Sequence, residues 1–153
     1  MVKEKWYLKH RDKKVVQVFY DNNKEVLFIN GKRIVEYAEI CDVVVNSDMT
    51  RCALLVKDNG KKFIWLDGIE HPSYKNIILM HFDNTGTHFV YLAELEDGKK
   101  CMVYDGKRGK AYDRISHPEF NETGVLAYKA FSSDENKWCM VVDGKEDKWY
   151  EDV

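Results

Sequence analysis

Apolar residues come along this chain in short runs, and polar turn residues separate them. Ile78-Leu79-Met80-His81-Phe82 is followed by Asp83-Asn84-Thr85-Gly86 and then by His88-Phe89-Val90-Tyr91-Leu92-Ala93. After a polar stretch at 94–99 come Cys101-Met102-Val103-Tyr104, the pair Asp105-Gly106, and a run ending Tyr112-Asp113-Arg114-Ile115. Such runs are too short for helices, and their wealth of Val, Ile, Phe, Tyr and Trp suits a pleated surface. No segment of ten or more residues carries a clean 3.6-residue period. The pattern predicts an all-β protein.

The same plan occurs four times. Asn30-Gly31, Asp67-Gly68, Asp105-Gly106 and Asp143-Gly144 mark it, with a tyrosine six residues after each glycine (Tyr37, Tyr74, Tyr112, Tyr150). Nine residues after each glycine stands Ile40, Ile77, Ile115 or Val153. Spacing held this rigidly is an internal repeat, and it divides the chain at about 1–40, 41–77, 78–115 and 116–153. Asp-Gly and Asn-Gly tolerate positive φ at both centres of a type I′ turn, the strongest short hairpin signal. Pro72 and Pro118 fall at equivalent strand starts or edges, where a missing N–H is tolerable. The first repeat diverges most. Its strand candidates are Trp6-Tyr7-Leu8, residues 15–20 and Val26-Leu27-Phe28-Ile29, and its 9–13 segment reads as a longer charged loop.

Tandem four-stranded antiparallel units of about 40 residues are the signature of propeller blades. The expected architecture is a single β-propeller domain over 1–153, built of four blades of about 38 residues. The chain resembles the TolB-like, WD40-like propeller repeats of bacteria. The fourth repeat carries the resemblance best, in Pro118, Phe120, Asn121-Glu122-Thr123-Gly124, Ala127-Tyr128-Lys129-Ala130, Trp138, Val141-Val142-Asp143-Gly144-Lys145 and Trp149-Tyr150-Glu151. The third keeps Val90-Tyr91-Leu92-Ala93 and Tyr104-Asp105-Gly106-Lys107, whereas the second has Asn46-Ser47-Asp48-Met49 in place of the Asx-Gly turn. The resemblance implies a binding scaffold and brings no catalytic motif. Closure of the four blades as a monomeric ring is the expected state, with two chains joining in an eight-bladed ring, or the chain forming part of a longer propeller, as the alternatives.

Composition narrows the class. At 44% apolar and 33% charged, the chain has the makings of a packed domain. A net charge of -2 with both signs interspersed points to neither nucleic acid nor an anionic membrane. No apolar run is long enough to span a bilayer. None of Cys41, Cys52, Cys101 and Cys139 forms a CxxC pair, and Cys101 and Cys139 occupy a slot that holds Val26 and Phe63 in the other repeats. They read as buried apolar thiols. Unpaired thiols and a lysine-bearing start with no apolar stretch give a cytoplasmic expectation.

Three constellations are candidates for chemistry, and each reads first as structural, so that no catalytic site and no metal is expected. If residues 83–86 make a tight turn, His81 and His88 stand opposite each other, and paired imidazoles can grip a metal with Asp83 as an added oxygen ligand. Asp42, His81, His117 and Glu119 are the polar residues of the inner strands, and a histidine with carboxylates at a channel mouth can do acid–base work. The four repeated tyrosines read as rings packed between blades, hydroxyls toward water. No Gly-rich phosphate loop or metalloprotease motif accompanies them, so the reading includes no cofactor. Recognition is expected in the loops that vary between repeats, because loops on a rigid scaffold carry function. Those loops supply Asp58, Asn59 and Lys61; Glu94, Glu96, Asp97 and Lys99; and Asp134, Glu135 and Lys137. The expected function is a non-enzymatic module that engages a protein partner. A small hydrolase or lyase with a channel-mouth site, or a carbohydrate-binding lectin-like propeller, is the alternative.

Overall fold

The computed structural model describes residues 2–151, so Val153, last of the aliphatic series, lies outside the described residues. Seventeen strands and no helix occur among them, arranged in four antiparallel sheets. No strand is shared between sheets, and no sheet closes on itself. The chain divides into two compact units, one ending at Ser73 and one starting at Tyr74.

The first unit holds two sheets. One consists of β1 (Lys3–His10), β2 (Lys13–Asp21), β3 (Lys24–Ile29) and β4 (Lys32–Tyr37), each paired with the next. The other consists of β5 (Glu39–Val45), β6 (Cys52–Asp58), β7 (Lys61–Leu66) and the short β8 (Ile69–Glu70). Alternation along β2 and β3 puts Val16, Val18 and Leu27 on one face, where they bury against Ile40, Leu54 and Val56. Each fully buried aliphatic side chain there contributes about 1.5–3 kcal/mol. A buried carboxylate ties the two sheets together: Glu25 accepts from the Ile40 amide at 2.6 Å and pairs with Lys5 at 2.9 Å.

The second unit repeats the arrangement. Its third sheet is β9 (Asn76–Phe82), β10 (Phe89–Glu94), β11 (Lys100–Tyr104) and β12 (Lys107–Arg108). Its fourth is β15 (Leu126–Ser132), β16 (Lys137–Val142) and β17 (Lys145–Tyr150), with β13 (Arg114–Ile115) and β14 (Glu119–Phe120) both on β15. These last two are one inner strand interrupted around Pro118, which has no N–H to give to a ladder. Val90, Leu92 and Met102 pack against Tyr128, Ala130, Cys139 and Val141. Cys101 and Cys139 are fully buried, as the apolar slot requires, and Cys41 is exposed.

The sheets begin slightly earlier than the repeat count suggests. Ile40, Ile77 and Ile115 each sit in the first strand of the following sheet, not the last strand of their own. The repeat glycines behave as expected: φ is positive at both residues of each pair, for instance 47° at Asp105 and 80° at Gly106. The 9–13 segment corrects the sequence reading. Arg11 and Asp12 (φ 49° and 65°) form a two-residue turn, and β1 pairs with β2 out to His10 and Lys13. Met49 at φ 59° occupies the turn position that Gly86 and Gly124 fill in the later repeats.

Candidate functional site

The repeated tyrosines are where the site begins. Tyr37 and Tyr112 end the outer edge of the first and third sheets, and both are buried. Neither hydroxyl faces water, which corrects the expectation for these two. Tyr37 donates to Glu70 at 2.7 Å, and Tyr112 donates to Glu146 at 2.6 Å. Glu70 and Glu146 each stand two residues after the repeat glycine of the next sheet. Burial and the facing carboxylate push both phenols well above their ordinary range. Tyr74 instead packs its ring edge-on against Tyr91, and Tyr150 is exposed.

Around the Tyr112–Glu146 pair the second unit opens a cleft of about 410 Å³. Lys110 stands over it, donating to Glu146 at 2.7 Å with its ammonium 5.4 Å from the Tyr112 ring and 5.9 Å from the Trp149 ring. The lysine and the tyrosine hydroxyl hold the Glu146 carboxyl below its usual range. Four of the predicted loop residues line the same cleft: Lys99, Asp134, Glu135 and Lys137. Lys99 belongs to the loop at 95–99 between β10 and β11, and Asp134 and Glu135 to the loop at 133–136 between β15 and β16. Asp113 fastens the second loop by accepting from the Ser133 amide at 2.7 Å. The cleft thus presents three ammonium groups and several carboxylates around two aromatic rings. That arrangement suits a polar, charged guest with one flat or aliphatic surface.

The remaining loop candidates lie elsewhere. Asp58 and Lys61 pair directly across a two-residue turn in which Asn59 (φ 50°) and Gly60 (φ 74°) both have positive φ. This is a tight hairpin with no reach, because Asn-Gly supplies the type I′ geometry. Glu94 ends β10 and faces Lys75 at 3.7 Å. Asp97 caps its own turn through the Lys99 amide, at 2.9 Å, and Glu96 is exposed beside it.

Of the metal and acid–base candidates, the structure brings His81 and His117 together and separates His81 from His88. His81 stands opposite Val90, while His88 precedes β10 and meets Asp83 through the backbone. The physical reason is the Asp83 side chain, which accepts from the Thr87 and His88 amides and widens the turn by two residues. His88 Nδ1 instead lies 2.5 Å from Asp105, its ring stacked on Tyr104. His81 does meet His117, ring centroids 5.7 Å apart, and burial and that neighbour depress its pKa. Its Nε2 is buried without a hydrogen-bond partner. Glu119 is exposed opposite Ala127, and Asp42 accepts from the Val43 amide at 2.8 Å. No group of three or more His, Cys, Asp or Glu placed to hold a metal occurs among the described residues.

Sequence reasoning missed Lys110, Glu146 and Trp149 as members of a site. The signal for Glu146 was present, since Glu70 occupies the same place in the second repeat.

No protein-family model matches the chain, and no curated protein does. Among solved structures it is similar to a protein from Bacteroides uniformis provisionally assigned as a 6-phosphogluconolactonase, with 12% identity and a TM-score of 0.42 over 96% of this chain and 53% of that one. It is also similar to BBS1N in complex with ARL6DN, with 9% identity and a TM-score of 0.39 over 90% of this chain and 49% of that one. The chain spans about half the length of both. Likenesses this distant carry no argument about activity. What the structure itself defines is an all-β protein of four antiparallel sheets.

Proposed function

We propose that this chain is a propeller-type, non-enzymatic binding module that engages a protein partner through the loops of its second unit. The single observation that carries the reading is the meeting of Lys99, Asp134, Glu135 and Lys137 with Trp149 around one cleft. Buried-edge tryptophan and tyrosine ringed by charges are what the centre and rim of a protein interface need. The propeller reading draws on the fourfold repeat, on its resemblance to TolB-like repeats, and on the tyrosine–glutamate contact made twice between successive sheets. Four free thiols, three of them buried, favour a cytoplasmic address. The cleft admits one anchoring side chain with its flanks, since about 410 Å³ is at the small end of ligand sites.

Affinity capture tests it. Wild-type protein, a Lys99→Glu/Lys137→Glu variant and a Lys61→Glu control are immobilised side by side. A protein retained by wild type and control but lost from the double variant is the expected result. Identical retention on all three surfaces removes the cleft from recognition.

A further inference from the structure

The fourth sheet has a second face, and it is built to be covered. Within each unit one sheet's face packs on the opposite face of the next, and Leu27 and Met102 mark the covering side in the first and third sheets. Met140 is the repeat equivalent of both. Its face carries Phe131 and Trp138 in ring contact at 5.2 Å, together with Val142 and Tyr150, which are 42% and 43% exposed. Register pairing adds Lys129 opposite Met140 and Lys145 opposite Val142. The charge there is predominantly basic.

The first sheet's free face differs in kind. Phe19 and Phe28 touch at 5.2 Å under a layer of ion pairs. Glu4 meets Lys14 at 2.7 Å, and Arg33 meets Asp21 at 3.1 Å and Glu36 at 2.6 Å. This is the side that receives a neighbour in the second and fourth sheets. Arg33 occupies the place, two residues after the repeat glycine, where Glu70 and Glu146 accept a tyrosine hydroxyl.

We propose that the free face of the fourth sheet docks onto the first sheet of a second copy of this chain. Tyr150 then repeats the position of Tyr37 and Tyr112, and its hydroxyl oxygen accepts from the Arg33 guanidinium of the other copy. Lys129 and Lys145 approach the acids Asp21 and Glu36. The contact made reciprocally, fourth sheet on first in both directions, pairs two chains. The surface extends a packing mode already made within each unit, and Val142 and Tyr150 stand open on it.

Sedimentation velocity at tens of micromolar decides it. A species of about 36 kDa, twice the 18.0 kDa chain, is expected. A monomer, or polymers heavier than the pair, overturns the proposal. Trp138→Glu and Arg33→Glu should each weaken association at least tenfold while the circular dichroism spectrum stays all-β. An equimolar mixture of the two variants should recover the dimer, because the mixed pair retains one unaltered contact. If Arg33→Glu alone remains fully dimeric, the partner surface is not the first sheet and the head-to-tail contact is wrong. Tyr150→Arg, at an exposed position facing Arg33, repeats the test without disturbing the half-buried Trp138.

Discussion

The two units make the same contact between their sheets and surround it differently. In the first, Tyr37 reaches Glu70, and the hairpins on either side turn on two residues each, Asn22-Asn23 and Asn59-Gly60. In the second, Tyr112 reaches Glu146, and the corresponding hairpins carry loops at 95–99 and 133–136. Val35 is replaced by Lys110 at the position two before the tyrosine. The first junction is further locked by the buried Glu25, where the third sheet has Lys100 at the equivalent place. One repeat plan therefore yields a closed structural junction and an open, charged cleft. The difference lies in loop length and in a few substitutions, not in the sheets.

Removing the lock should have the largest effect. Glu25→Ala leaves Lys5 without its carboxylate and the Ile40 amide without an acceptor in a buried place. Breaking this part-buried pair and stranding the buried amide should together cost about 3 kcal/mol. Glu146→Ala, in the more open junction, should cost about 1 kcal/mol, the worth of an ordinary hydrogen bond. Urea denaturation of both variants compares the two directly. Equal losses would mean that the junctions are equally closed.

The turns should not distinguish the units. Gly68 and Gly144 have φ of 94° and 75°, and an added Cβ meets nothing within 4 Å at either. Valine there is strained by backbone conformation alone, so each substitution should cost about 1–3 kcal/mol. Thermal melting of the pair checks this. A variant that melts like wild type would show its turn able to relax into another type.

Alkaline pH probes the two tyrosines together. Below the ordinary phenol pKa of about 10 both folded and unfolded chains hold the proton, so nothing changes. Above it the unfolded chain ionises while Tyr37 and Tyr112, with pKa values raised by burial and a facing carboxylate, stay neutral. Stability then falls as pH rises, by about 1.4 kcal/mol per tyrosine for each pH unit past 10. Tyr37→Phe and Tyr112→Phe should each flatten the decline by a similar amount. A slope unchanged in one variant would place that hydroxyl in water after all.

Much of the fold was legible because it rests on local chemistry. Alternating runs and Asx-Gly pairs are read residue by residue, and the structure supplies strands and positive φ where they indicate. What escaped was non-local. Asp83 looked like part of a short turn, yet its side chain captures two amides beyond it and moves His88 out of register with His81. Asn59-Gly60 was counted among variable loops although the same dipeptide logic makes it a tight hairpin. Lys99 and Lys137 were picked out by variability alone. Their meeting with Lys110, Glu146 and Trp149 depends on how two sheets pack, which no spacing along the chain encodes.

The smallest expected change in stability is also the sharpest test of the comparison between the units. Replacing residues 133–136 by Asn-Gly would give the fourth sheet the hairpin of the second, with Ser132 and Lys137 still paired as Asp58 and Lys61 are. Halving a loop returns about 0.6 kcal/mol of closure entropy, and Asn-Gly is the favoured two-residue turn. Against this, Asp113 loses the Ser133 amide, but its side chain is near water and rehydrates at little cost. Stability should therefore change by no more than about 0.6 kcal/mol, within what denaturation curves resolve. The cleft loses Asp134 and Glu135 and one of its walls, so partner capture should disappear while the sheet remains folded. Capture that survives the shortened hairpin would locate recognition on the sheets themselves, and loop length would no longer explain why the two units differ.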